Sequence, residues 1–267
     1  MTSQSDIWES VWTEVRGLPL GVVVPVLVVV ALAATAVQWF TTLAVGTDVR
    51  LLGLAVVGAA VVAGRPARWG SAAALLGVGA VVGTWTTAVT WAVAAFVTST
   101  VATRLWASEG IDGGWPTWTR RYVFVTVVGV LLFAATGAWL LDVLGLASFS
   151  VTVGRTVATN LPVAIVGAPL VRLVSERTPG SNPSAPERPQ DGGARAGVTL
   201  VVLVWTVGGY VGSFLFRTVE QVPPGEIGRQ FSTTLETVLF AWGPQGTYAQ
   251  LVLGLVALVV VGVLLRK

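Results

Sequence analysis

"WGSAAALLGVGAVVGTWTTAVTWAVAAFVTSTVAT", Trp69 to Thr103, runs 35 residues without a charge, and its reading fixes how many times the chain crosses a membrane. As one α-helix rising 1.5 Å per residue it would be about 52 Å long, well beyond a hydrocarbon core of about 30 Å. Two short spans with a turn near Gly83 to Thr87 fit that core. Cation placement separates the two readings. With one span here, seven in all, the 16 Lys and Arg divide 10 against 6 between the two sides. With two, eight in all, only Arg50, Arg155, Arg217 and Arg229 fall on the minority side and the other 12 collect opposite. Cytoplasmic loops gather Lys and Arg, so the sharper division favours eight spans with both termini in the cytoplasm. Trp85 then anchors an outer turn, and seven spans is the alternative.

The remaining apolar stretches are Leu18 to Phe40, Leu51 to Gly64, Tyr122 to Leu146, Thr152 to Val174, Ala196 to Phe216 and Ala249 to Leu265. The second, 14 residues bounded by Arg50 and Arg65, reaches only about 21 Å. It either snorkels its arginines and thins the bilayer or is re-entrant. The composition agrees with a lipid solvent: 54% of residues are hydrophobic, 11% are charged and mean hydropathy is +0.79. Soluble domains carry about 25% charged residues. The fold class is therefore an all-α polytopic membrane protein, a six-helix bundle followed by a C-terminal two-helix hairpin.

Four regions follow. Residues 1–17 place Ile7, Trp8, Val11, Trp12 and Val15 on one helical face and read as an interfacial amphipathic helix. This acidic start is not a secretory signal and is expected to be retained. Residues 18–174 form the six-span bundle. Residues 175–195, rich in Pro, Ser, Gly and charge, form a flexible polar linker. Residues 196–267 form the hairpin, with an outer loop over 217–248. In that loop Phe231, Leu235, Val238, Leu239 and Trp242 repeat at helical spacing, as a surface helix or as a lid over a site.

Absent residues exclude much chemistry. The chain has no His and no Cys, and its one Lys is Lys267. Disulfides, thiolate or imidazole metal sites, His-ligated haem, a Ser-His-Asp triad and a G-x-x-x-x-G-K phosphate loop are all ruled out. No D-x-x-D pair, no paired intramembrane glutamates and no base beside a Ser or Thr nucleophile are found, so the chain reads as a non-enzyme without a cofactor. The net charge of +3 comes from arginines in loops between spans, which points to a lipid bilayer and away from nucleic acid.

Candidate ligand-binding residues are the few polar groups inside spans, which are costly there and functional by default. Asp142 and Arg155 end and begin adjacent spans on the outer side. They pair with each other, snorkel, or hold a polar solute. In "RTVATNLPVAIVGAPLVR", Arg155 to Arg172, Asn160 stands beside Pro162, with Pro169 one further break along. Each proline removes a donor and frees a carbonyl four residues back. Such kinks either line a polar cavity or are repaired by a neighbouring helix that takes the Asn160 amide. Trp91, Trp139 and Trp205 either pack ordinarily or, with Trp139 foremost, stack on a ring-shaped ligand. Small-residue ladders at Ala55, Ala59 and Ala63, at Gly79 and Gly83, and at Gly208 and Gly212 allow close helix contact.

Six short spans with both ends inside, an interfacial N-terminus, abundant Gly and Ala, and a last helix reading "TNLPVAIVGAPLVRLV" give residues 1–175 a resemblance. They resemble the substrate-capture subunits of energy-coupling-factor vitamin transporters. The resemblance implies a bundle that binds a small molecule and docks on a separate transmembrane coupling protein powered by two ATPases. On this reading the missing ATP motifs are expected, and the hairpin 196–267 is an addition. The expected function is a multi-pass cell-membrane protein that binds or transports a small solute. The alternative is a non-catalytic membrane scaffold, assembly or sensory component that acts through helix contacts.

Overall fold

The computed structural model describes residues 21–25, 28–31, 52–82, 85–107, 114–177, 192–221 and 247–266. Helix is the only regular structure among them. Residues 21–25 and 28–31 are helical, and eight further helices follow: α1 (Leu52–Ala63), α2 (Pro66–Val82), α3 (Trp85–Ala107), α4 (Trp115–Val143), α5 (Phe149–Val166), α6 (Ala168–Arg177), α7 (Gly192–Gln221) and α8 (Thr247–Leu264). The expected surface helices at 1–17 and 231–242, most of the first span and the middle of the linker lie outside the described residues.

Among the described residues, four helices are long and apolar enough to cross a membrane: Trp85–Ala107, Trp115–Val143, Phe149–Val166 and the Gly192–Phe214 part of α7. The stretch Trp69 to Thr103 belongs to two helices, α2 and α3, which pack on each other more extensively than any other pair. Trp69 meets Phe96 edge to face at 4.9 Å, a pairing that antiparallel packing of α2 on α3 produces. At 12 and 17 residues, α1 and α2 fall short of a full crossing.

Local chemistry sets the boundaries. Gly64, at φ 65°, closes α1 by donating its N–H to the Ala60 carbonyl at 3.1 Å, and Pro66 then opens α2. A left-handed glycine past one helix and a proline at the start of the next need no further residues, so the chain reverses within two. At the other end of the bundle Gly145 (φ 69°) closes α4: its N–H goes to the Asp142 carbonyl at 2.9 Å, while Leu146 N–H reaches back to Leu141 at 2.8 Å. This double closure is the Schellman arrangement. The expected span Thr152 to Val174 is one axis in two pieces. α5 passes through Pro162 and stops, and a single residue, Gly167, separates it from α6. Pro169 sits in the first turn of α6, where its missing donor costs least. The linker's two edges are helical, since α6 continues to Arg177 and α7 begins at Gly192.

α4 is the most deeply buried of the four long helices and touches α1, α3, α5, α6, α7 and α8. The helix contacts use one device repeatedly: a glycine on one helix leaves a notch and a large side chain fills it. Trp91 of α3 lies in the notch of Gly137, Trp139 of α4 in that of Gly254 on α8, and Phe149 of α5 in that of Gly209 on α7. Lipid tails are as apolar as these side chains, so burial alone does not drive helices together in a bilayer. Close van der Waals fit and interhelical hydrogen bonds do. Trp91 packs on Phe133 at 5.0 Å and Trp139 on Trp205 at 6.2 Å, so each indole considered for ligand stacking is engaged inside the protein.

Replacing Gly254 by Val should expel the Trp139 indole and destabilise the protein by about 1–3 kcal/mol, as overpacking in close-packed interiors does. Gly262→Ala, where nothing lies within 4 Å, should leave stability unchanged or slightly raised. Thermal unfolding in mild detergent, followed by tryptophan fluorescence, measures both.

Candidate functional site

Asn160 is 1% exposed and all of its amide is used. Gly53 N–H, in the first turn of α1, donates to its Oδ1 at 2.7 Å. Its Nδ2 donates to the Thr156 carbonyl at 2.8 Å and to the Thr159 hydroxyl at 3.2 Å. Only the oxygen of the amide can face a backbone N–H, which fixes its orientation. The first N–H groups of any helix lack partners within it. Asn160 thus caps α1 from a different helix, 107 residues away in sequence.

The depth of this contact follows from helix rise. Asn160 lies eleven residues after Phe149, where α5 begins, and twelve before Arg172 on α6. That is about 16–18 Å from each. The start of α1 therefore lies midway along the bundle, and α1 runs parallel to α5 and α6. Gly53 meets Asn160, Leu54 meets Gly167, and Gly58 meets Val171. A Cβ at Gly53 would sit 2.8 Å from Asn160 Cβ, so the close approach needs glycine there. At the α5–α6 break the fully buried Tyr122 donates its hydroxyl to the Ala164 carbonyl at 3.0 Å.

The other three candidates lie elsewhere. Asp142 Oδ1 accepts the N–H of Phe149 at 3.1 Å and so caps α5, where a carboxylate also meets the positive end of the helix dipole. Arg155 is exposed on α5, five residues and about 140° of turn from buried Asn160, so the two side chains occupy different faces. Trp139 Nε1 donates to the Gln250 carbonyl at 2.9 Å, while Gln250 Nε2 donates to the Gly209 carbonyl at 3.1 Å. Nearby, Ser150 N–H donates to Ser213 Oγ at 3.3 Å. Asp142, Trp139 and Arg155 share the half of the bundle nearer the α4–α5 turn, with Asp142 bonded to the start of α5 and Trp139 to α8.

Gln250 and Ser213 were not expected from sequence, although Gln250 is the one amide in the apolar run that opens at Ala249. A second polar region was also missed. Ten arginine side chains are described, and nine lie toward the opposite end of the bundle: Arg65, Arg68, Arg104, Arg120, Arg121, Arg172, Arg177, Arg195 and Arg266. Contacts across helices bring them together there. Arg195 of α7 lies over Phe124 of α4, Arg121 of α4 over Trp106 of α3, and Arg104 of α3 donates to the carbonyl of Leu265. The sequence signal was the spacing Trp115, Trp118 and Tyr122, which is one face of a helix.

No protein-family model, curated protein or solved structure matches this chain.

Asn160→Ala leaves the Gly53 N–H without its acceptor and should lower stability by about 1–2 kcal/mol, the worth of a strong interhelical hydrogen bond in a membrane protein. Thr100→Ala, whose hydroxyl bonds back to the Phe96 carbonyl of its own helix, should change it little. Equal thermal midpoints for Asn160→Ala and wild type would remove the cap from the list of stabilising contacts.

Proposed function

We propose that the chain is a multi-pass membrane protein that binds or moves a small solute, with its arginine-bearing end in the cytoplasm. The observation that carries this is a helix start midway along the bundle, where α1 begins against Asn160, with α5 giving way to α6 at Gly167 about 10 Å further on. Membrane proteins tolerate helix ends at such depth where they are buried in protein or line a polar cavity, and transporters build solute sites from them. In this reading Asn160 is a positioning residue that holds α1 in place, and solute contacts come from Asp142, Arg155 and Trp139 on the outer half. The likeness to substrate-capture subunits extends the proposal to docking on a transmembrane coupling protein with ATPases. The segregation of arginines supports eight membrane segments, of which α1 and α2 are short, and placement in the cell membrane.

A specific observation favours a second reading, a scaffold or assembly component working through helix contacts. The hydrogen bonds of Asn160 and of the Trp139 indole already end on protein. α7 and α8 also leave Leu200, Val204, Val207, Val211, Val256 and Val259 exposed.

Mass spectrometry of the chain purified in mild detergent separates the two. A retained small molecule that raises the thermal midpoint supports solute binding, whereas a stable protein partner with no small molecule supports the scaffold. Binding that survives unchanged in both Asn160→Ala and Arg155→Ala removes those residues from the site. Orientation is tested separately, because the chain lacks cysteine. A membrane-impermeant maleimide should label Leu146→Cys in intact cells and Arg65→Cys only after permeabilisation. The reverse pattern contradicts the orientation.

A further inference from the structure

The arginine-bearing end combines cations and aromatic rings in a way that packing alone does not require. Trp115, Trp118 and Tyr122 stack in sequence along one face of α4: Trp115 and Trp118 centroids are 6.1 Å apart, and Trp118 and Tyr122 lie 5.2 Å apart with planes only 5° from parallel. Arg172 of α6 reaches across to this ladder, with its guanidinium carbon 4.5 Å from the Trp115 ring centre and 5.8 Å from that of Trp118. On the other side of Trp118, Trp106 makes an edge contact at 5.6 Å and carries Arg121 over its face at 4.4 Å.

Two facts point to an anion. The described acidic side chains are Asp142, at the far end, and Glu176, which binds Arg172 Nε at 2.6 Å. That carboxylate occupies Nε alone. Arg172 Nη1 is buried and has no hydrogen-bond partner among the described residues. A guanidinium presents a fork matched to phosphate, and an aromatic face holds that fork in place without satisfying its N–H groups. A third fact points to an amphiphile rather than a free ion. Beside Arg172, α6 and the end of α5 expose Val166, Leu170, Leu173 and Val174, an apolar track suited to an acyl chain.

We propose that Arg172, held on Trp115 and Trp118, binds the phosphate of an anionic phospholipid, whose acyl chains lie along the exposed face of α6. Basic sites between membrane helices on the cytoplasmic side recognise such headgroups. The inference rests on the membrane reading above but not on any solute.

The test is native mass spectrometry of the full chain reconstituted in bilayers of mixed phosphatidylglycerol and phosphatidylcholine, with wild type, Arg172→Gln and Arg266→Gln compared. Wild type and Arg266→Gln should retain phosphatidylglycerol, while Arg172→Gln retains it about tenfold less, as expected for one charge-assisted contact. Arg172→Lys, which keeps the charge and loses the planar fork, should fall between. Equal retention by Arg172→Gln and wild type overturns the proposal, and so does equal loss in Arg266→Gln, which would mean a diffuse collar. Stabilisation by inorganic phosphate equal to that by the lipid overturns the lipid as source. Matching circular dichroism of the variants rules out misfolding as the cause of a loss. Failure of the chain to enter bilayers would contradict the membrane reading itself.

Discussion

A helix end inside a low-dielectric bundle has N–H groups with no water to receive them, and the fold depends on how that end is satisfied. α1 begins midway along the bundle, and the amide of Asn160 receives the N–H of Gly53. The bond also sets geometry. It requires glycine at position 53, brings α1 against α5, and orders Leu54 and Gly58 against Gly167 and Val171 further along. The same solution recurs where Asp142 caps α5 and where Tyr122 takes the Ala164 carbonyl beside the break at Gly167. Each polar side chain spans two elements and satisfies a backbone group of the second.

Around these ties the helices are held by shape. Glycine notches at positions 137, 209 and 254 admit Trp91, Phe149 and Trp139 so closely that a single Cβ would collide. The indole of Trp139 joins both modes, filling the notch of Gly254 and donating to Gln250. It fastens the C-terminal hairpin to the bundle at one end, and Arg104 on Leu265 does so at the other. The hairpin is therefore anchored at both ends, although a polar linker separates it from the bundle in sequence.

Much of the helical architecture was legible in the residues, and the reasons are physical. The apolar runs from Tyr122 and Ala196 had a length that only a buried or membrane helix can use. Helix length together with cation placement divided Trp69 to Thr103 into two, as the helices α2 and α3 do. The division of the last bundle span at Gly167 was only half visible. Pro162 and Pro169 marked it, but prolines show where a donor is missing, not where a helix stops. The pairing of Asn160 with Gly53 was invisible, because a contact across 107 residues leaves no local pattern and an Asn in a span fits a ligand site as well as a cap. For the same reason Trp139 reads in sequence as a possible stacking surface. In sequence the arginines mark only orientation, since sequence does not reveal that Arg172 and Arg121 lie on indole faces.

The most direct measurement is amide hydrogen exchange at Gly53 in bilayer nanodiscs, read by nitrogen-labelled glycine NMR. If Asn160 caps α1 inside the membrane, the Gly53 amide exchanges as slowly as those in the middle of α4 and loses that protection in Asn160→Ala. Exchange at Gly53 as fast as at Gly145 in the exposed turn, or protection unchanged in the variant, would contradict it.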